Sequence, residues 1–154
     1  MSHELLARPL QFRSYHLNLQ PTGEVYMGGG ASIRPRDQLK LGQLYLNGGT
    51  WNGRRVLSAQ WVRQSLAAHA EFEPRFGVDH LYGWGWHIQH LVVGGRTYTE
   101  YSAGGNGGQL VIIVPKLDMV VGFTGGAYGE FQSWGRWSVD LIPRYIIAAA
   151  LRAR

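Results

Sequence analysis

The chain has no cysteine, and only two of its 154 residues are lysine, Lys40 and Lys116. Without cysteine there is no disulfide, no thiolate nucleophile and no Cys-ligated metal. The redox compartment stays open, because a Cys-free chain suits the cytosol and the periplasm alike. No apolar run reaches the ~20 residues of a membrane-spanning helix, so no membrane partner is expected. The opening Met1-Ser2-His3-Glu4-Leu5-Leu6-Ala7-Arg8-Pro9 carries an acid and is too short for a signal peptide, which leaves the chain cytoplasmic as written. Lys and Arg exceed Asp and Glu by 15 to 10, a net charge of +5. The cations are scattered, and their densest spot is Arg34, Arg36 and Lys40. That is a solvated, mildly basic surface, and nucleic acid is not an expected partner.

What the chain has in excess is glycine, 22 of 154 residues, with no collagen-like or simple repeat period. The densest stretch is Tyr101-Ser102-Ala103-Gly104-Gly105-Asn106-Gly107-Gly108-Gln109, and the apolar run Leu110-Val111-Ile112-Ile113-Val114 follows at once and ends at Pro115. A five-residue apolar run stopped by Pro reads as a buried strand. The glycines before it read in two ways. They make a hairpin turn, or they shape the backbone so that a ligand or another strand comes close.

The size predicts a single domain over residues 1–154. Residues 2–8 read as the last turns of a helix stopped by Pro9, and 11–31 as irregular. A helix is expected from Pro35, with Leu39, Leu41, Leu44, Tyr45 and Leu46 on its apolar side and Asn47-Gly48-Gly49 as its stop. Asn52-Gly53 marks a tight turn, and Ser58 caps a second helix. Residues 70–80 read as loop. Tyr82-Gly83-Trp84-Gly85-Trp86-His87-Ile88 alternates as a strand would, and further strands are expected over 96–103, 109–114 and 119–124. The tail from Phe131 is helical, broken or restarted at Pro143. Helices, then an antiparallel meander of about three to four strands, then a closing helix make an α+β class. His69, His80, His87 and His90 have no metal-ligand spacing and no carboxylate to complete a site, so surface or packing roles are expected. Trp84, Trp86, Trp134 and Trp137 read as core or cleft wall.

Asp37 to Leu57, the Tyr82-Gly83-Trp84-Gly85-Trp86 stretch, Ala103 to Gln109 and the run from Val114-Pro115 to Val121 together resemble, in order and spacing, the C-terminal portion of the serine β-lactamase-related family. That family includes class C β-lactamases, penicillin-binding carboxypeptidases and related esterases. The resemblance covers nearly all of residues 4–151. It implies an incomplete β-lactamase-like, serine transpeptidase-like fold and a parent that hydrolyses an ester, amide or β-lactam through an acyl-enzyme. It further implies that this chain is the C-terminal half of such a hydrolase domain.

In that family a Ser attacks and a Lys three residues later serves as base. Here Asp37 and Ile113 stand three residues before the two lysines, so the Ser-x-x-Lys pair is absent. A Tyr-x-Asn string occurs at Tyr45-Leu46-Asn47, where Tyr45 is read as a core aromatic and Asn47 as a helix cap. The family's substrate-lining strand falls within Tyr101 to Gly104. By resemblance, Ala103 and Gly104 offer backbone N–H groups to an oxyanion, Ser102 or Asn106 touches substrate, and Gly105 belongs to the same strand. The alternative, that the glycines only allow tight packing, stays open. No complete catalytic set, metal or cofactor is expected, and the chain alone is expected to be inactive. The second reading is a non-catalytic module that binds a ligand or partner on the same scaffold. The partner implied for the parent is a small acyl substrate, and the parent suits the periplasm or secretion. Residues 119–124 form an apolar strand whose expected exposure predicts self-association.

Overall fold

The computed structural model describes residues 3–26 and 28–153. A short wide-turn helix, His3–Ala7, starts the described chain and runs into the turn at Pro9. Ser2, the first residue of the expected helical turn, lies outside the described residues. A two-stranded ribbon of β1 (Tyr15–Leu17) and β2 (Ala31–Ile33) follows. Helix α1 (Pro35–Leu46) begins with Pro at a position where its missing N–H costs nothing, and it ends where Gly48 and Gly49 take positive φ. The hairpin of β3 (Thr50–Trp51) and β4 (Arg54–Arg55) turns on Asn52 and Gly53, both at positive φ. Helix α2 (Ala59–Ser65) is capped by Ser58 Oγ, which accepts from the Trp61 N–H at 3.0 Å.

The main sheet has six antiparallel strands: β5 (Ala70–Arg75), β6 (Val78–Tyr82), β7 (His87–Val93), β8 (Arg96–Gly105), β9 (Gln109–Val114) and β10 (Met119–Phe123). They lie side by side in chain order, a plain meander. Strand β9 explains its continuous apolar run, since it is buried on both faces. Leu110, Ile112 and Val114 join Leu91, Tyr98, Ile142 and Ile147 in one core, and Val111 and Ile113 join Trp86 in another. Helix α1 lies on the second face. A Cβ on Gly42 would stand 2.5 Å from Val120 and 3.1 Å from Val111, so glycine lets the helix come down onto β9 and β10. Tyr45 sits against Trp86 with ring centroids 4.7 Å apart. The first face is covered by α3 (Phe131–Trp134), a wide-turn helix over Trp137–Ile147, and α4 (Ala148–Arg152).

The sheet is wider than three to four strands, because residues 70–80 are strand and not loop. Strand β5 is exposed along its whole length and holds Pro74, which shifts its register against β6, so it shows no apolar alternation. Its turn is Phe76-Gly77, with φ of 52° and 77°, a mirror-type hairpin turn built on an unusual first residue. The expected strand over 82–88 is split. Gly83 donates to the Trp86 carbonyl at 2.8 Å and Trp84 to the Ser65 carbonyl at 2.9 Å, which makes Gly83–Trp86 the β6–β7 turn docked on α2. The four tryptophans accordingly separate, with Trp86 buried and Trp84 half-exposed beside Trp61. Pro143 does not break the tail, because the wider turn of the 137–147 helix accommodates a residue without an N–H. No helix among the described residues is long and apolar enough to cross a membrane.

The N-terminal segment is held to α1 by one charged cluster. Asp37, 3% exposed, accepts from Lys40 Nζ at 2.6 Å and from the Arg13 N–H at 3.0 Å. Lys40 also donates to the Gln11 carbonyl at 2.6 Å. The bond from Lys40 holds the Asp37 carboxyl below its usual range against the opposing cost of burial. The resulting stability is present above the unfolded carboxyl value and is lost as pH falls through the lower folded one. Asp37→Ala is expected to destabilise the protein by about 2–4 kcal/mol, because it strands the buried-side Lys40 and the Arg13 amide. Thermal unfolding checks the size, and faster amide exchange at Arg13 than in β9 checks the location.

Candidate functional site

Strand β8 outruns its neighbour. Its pairing with β7 stops at His87 opposite Ser102, while its pairing with β9 continues to Gly105 opposite Gln109. From Ala103 to Gly105 the β8 edge on the β7 side therefore has no strand beside it. Beyond it the glycine turn is locked from outside. Gly107 accepts from the Ala127 N–H at 3.1 Å, Asn106 Oδ1 from the Gly129 N–H at 3.0 Å, and Gln109 Nε2 donates to the Gly125 carbonyl at 2.5 Å.

The glycines answer both readings of the sequence. Gly108 is needed for packing: it has φ of 92°, and a Cβ there would stand 2.7 Å from the Trp137 ring. Gly104 and Gly105 line a pocket of about 230 Å³ together with Ser102 and Asn106. Ala103 faces the other way, into the core with Trp86, Val111 and Ile113. Tyr45 is a core aromatic on Trp86, and Asn47 caps α1.

The pocket lies between the sheet and the start of the C-terminal helices. Arg75 and Phe76 come from the β5–β6 turn, His80 from β6, His87 and Gln89 from β7, and Trp134 and Ser138 from the helical segment. Beside it lies an interleaved stack. Phe76 lies on Phe131 at 5.7 Å, the Arg75 guanidinium over Phe131 at 5.0 Å, and that of Arg136 over Phe76 at 5.0 Å. The positive φ of Phe76 carries its ring into this stack.

Two features escaped sequence reasoning. The first is a histidine pair. His80 Nε2 and His87 Nδ1 are 2.8 Å apart, and one hydrogen is shared between them. Burial, then the Arg75 charge, lowers His80. Burial, then His80, then Arg75, holds His87 down at about 4. Both rings are neutral at pH 7. With residues 78–82 read as strand, alternation would have brought His80 and His87 onto one face; read as loop, it could not. His90 points elsewhere and binds Asp79.

The second feature is Glu100, fully buried on β8, opposite Gln89 and two residues before Ser102. Neither carboxylate oxygen has a hydrogen-bond partner. Burial pushes its carboxyl up to about 8, eased by Ser102 beside it, so Glu100 is an uncharged acid at pH 7. No group of three or more His, Asp or Glu converges among the described residues.

No family model matches the chain. Among solved structures, it is similar to a protein named as a 6-aminohexanoate-dimer hydrolase, from Bacillus anthracis, with a TM-score of 0.65 and 21% identity over 99% of this chain and 35% of that one. It is also similar to a protein named as a β-lactamase, from Bacteroides dorei, with a TM-score of 0.55 and 20% identity over 80% of this chain and 43% of that one. The fold is that of the serine β-lactamase family. The chain spans less than half the length of either neighbour.

Glu100 and His87 set opposite pH slopes. A carboxyl raised from 4.5 to about 8 in the folded state contributes stability that is full below 4.5 and is lost as pH rises through 8. An imidazole lowered from 6.5 to about 4 contributes stability present above 6.5 and lost as pH falls through 4. From these two groups stability is roughly level between 4.5 and 6.5 and declines on either side. Glu100→Gln is expected to remove the alkaline decline and to stabilise the protein by about 2–4 kcal/mol at pH 8.5. Melts of both proteins from pH 5 to 9 check it; parallel curves would contradict the buried acid.

Proposed function

We propose that this chain forms the sheet wall of an acyl-transfer hydrolase site. An ester, amide or β-lactam lies along the open edge of β8, and backbone N–H groups between Ala103 and Gly105 receive the developing oxyanion. The observation that carries this reading is that unpaired β8 edge at the glycine turn, in a β-lactamase-like fold. The residues of the sheet bind and polarise; they do not attack. The 154 residues hold no Ser-x-x-Lys pair, so the nucleophile belongs to further polypeptide, in the same chain or another. The compounds that give the two neighbours their names, a 6-aminohexanoate dimer and a β-lactam, are the first to screen on a protein that contains both parts. A fluorophosphonate is expected to leave every serine of the 154-residue chain unlabelled in intact-mass spectra. A stoichiometric adduct on Ser102 would overturn the division of labour.

Partnering follows from the other end of the sheet. Strand β10 is a sheet edge with no charge in Met119–Phe123, whereas the opposite edge, β5, carries Glu71, Glu73, Pro74 and Arg75. Charge and proline blunt an edge, and β10 has neither. A second copy pairing along β10 is the proposed partner of the isolated chain. Size-exclusion chromatography with light scattering is expected to give dimers or larger species, and Val121→Lys to shift them towards monomer. A monodisperse wild-type monomer would contradict the pairing.

A further inference from the structure

Five buried side-chain polar atoms among the described residues have no hydrogen-bond partner, and two of them belong to side chains that line one pocket. They are His80 Nδ1 and Trp134 Nε1; Glu100 is not part of the lining and is the strand partner of Gln89, which is. Buried polar groups are rarely left unmet, so a cluster of them around a cavity marks a missing binding partner. His80 is 3% exposed.

The unmet groups define that partner. The indole N–H of Trp134 can only donate. His80 Nδ1 donates when His87 supplies the shared hydrogen of the pair. Arg75 has a cation–π contact with Phe131 and no ion pair among the described residues. No ionised carboxylate lines the pocket. Donors and one unpaired cation call for an anion, and the rings of Phe76 and Phe131 and the Leu110 side chain call for hydrocarbon beside it. The volume of about 230 Å³ admits a molecule of benzoate size rather than a peptide.

We propose that this pocket binds a small carboxylate bearing an apolar group, its charge held by Arg75 and its oxygens by the ring N–H groups of His80 and Trp134. Guanidinium and carboxylate match in planar, two-bond geometry, and charge-assisted bonds are the strong ones. The bound anion selects the tautomer in which His87 Nδ1–H donates to His80 Nε2, freeing His80 Nδ1–H for the ligand. Binding needs no nucleophile, so it stands or falls separately from the acyl-transfer reading.

The test is an NMR titration of the 154-residue chain with sodium benzoate, and with benzamide as the uncharged molecule of the same shape. Benzoate is expected to shift the Trp134 indole N–H and the His80 ring resonances to saturation, with a Kd of about 1 mM or below. Benzamide is expected to bind at least about tenfold more weakly, and Arg75→Gln to lose a similar factor for benzoate while melting as the parent does. Equal binding of the two molecules, or no shift with benzoate at about 10 mM, a tenfold excess over that Kd, overturns the proposal. Either result leaves the fluorophosphonate experiment and its meaning untouched.

Discussion

Unequal pairing of β8 with its two neighbours governs the glycine-turn end of the main sheet. Each strand of a sheet must satisfy its backbone on both sides or leave groups to water, side chains or ligands. Strand β8 is held by β9 as far as Gly105 but by β7 only to Ser102. The β6–β7 turn at Gly83–Trp86 is tied down on α2, where a Cβ on Gly83 would collide with the Ser65 carbonyl oxygen. β7 therefore starts where it does, and the last residues of β8 stand open. The glycine turn is in turn fixed by the 125–129 loop, through Asn106, Gln109 and Gly107. An open edge on a rigid support is what a backbone oxyanion site requires.

The two faces of that strand have separate tasks. Ala103 faces a dry core of Trp86, Val111 and Ile113 under α1, which fixes the height of the strand. Ser102 and Glu100 face the C-terminal helices, in a layer that mixes Gln89, His80 and His87 with aromatic rings. That layer is costly for stability. It holds an uncharged carboxyl with no partner and two imidazoles held neutral. A fold under no functional demand would fill such a layer with Leu or Val, as β9 does with Leu110, Ile112 and Val114. Local cost of this kind concentrates at sites that bind.

Much of this was legible in the residues. Pro35 with Asn47-Gly48-Gly49 bounded a helix, Ser58 capped another, and Leu110 to Val114 marked a buried strand, because each signal is local and depends on backbone chemistry. The resemblance pointed to the fold, and the solved neighbours bear the fold out. What stayed hidden was non-local. Strands β5 and β6 lack alternation because one is exposed throughout and interrupted by Pro74. With them unread, His80 and His87 could not be brought together, and the Arg75–Phe131 contact had no basis. Glu100 carries no sequence signature, since a strand of Thr, Tyr, Thr, Glu, Tyr and Ser gives no warning that its acid is fully buried. The tight-packing and close-approach readings of the glycines proved compatible, Gly108 answering to the first and Gly104 and Gly105 lining the pocket.

The division of labour between a binding sheet and a nucleophile carried elsewhere is tested most directly by the coding sequence upstream of Met1, read in frame for about 250 codons, the length of one larger α/β domain. The expected result is an open frame that carries Ser-x-x-Lys and, after it, Tyr-x-Asn. A stop codon close upstream, with neither motif in a neighbouring frame, would contradict it and leave the carboxylate pocket as the function of a self-standing binding module.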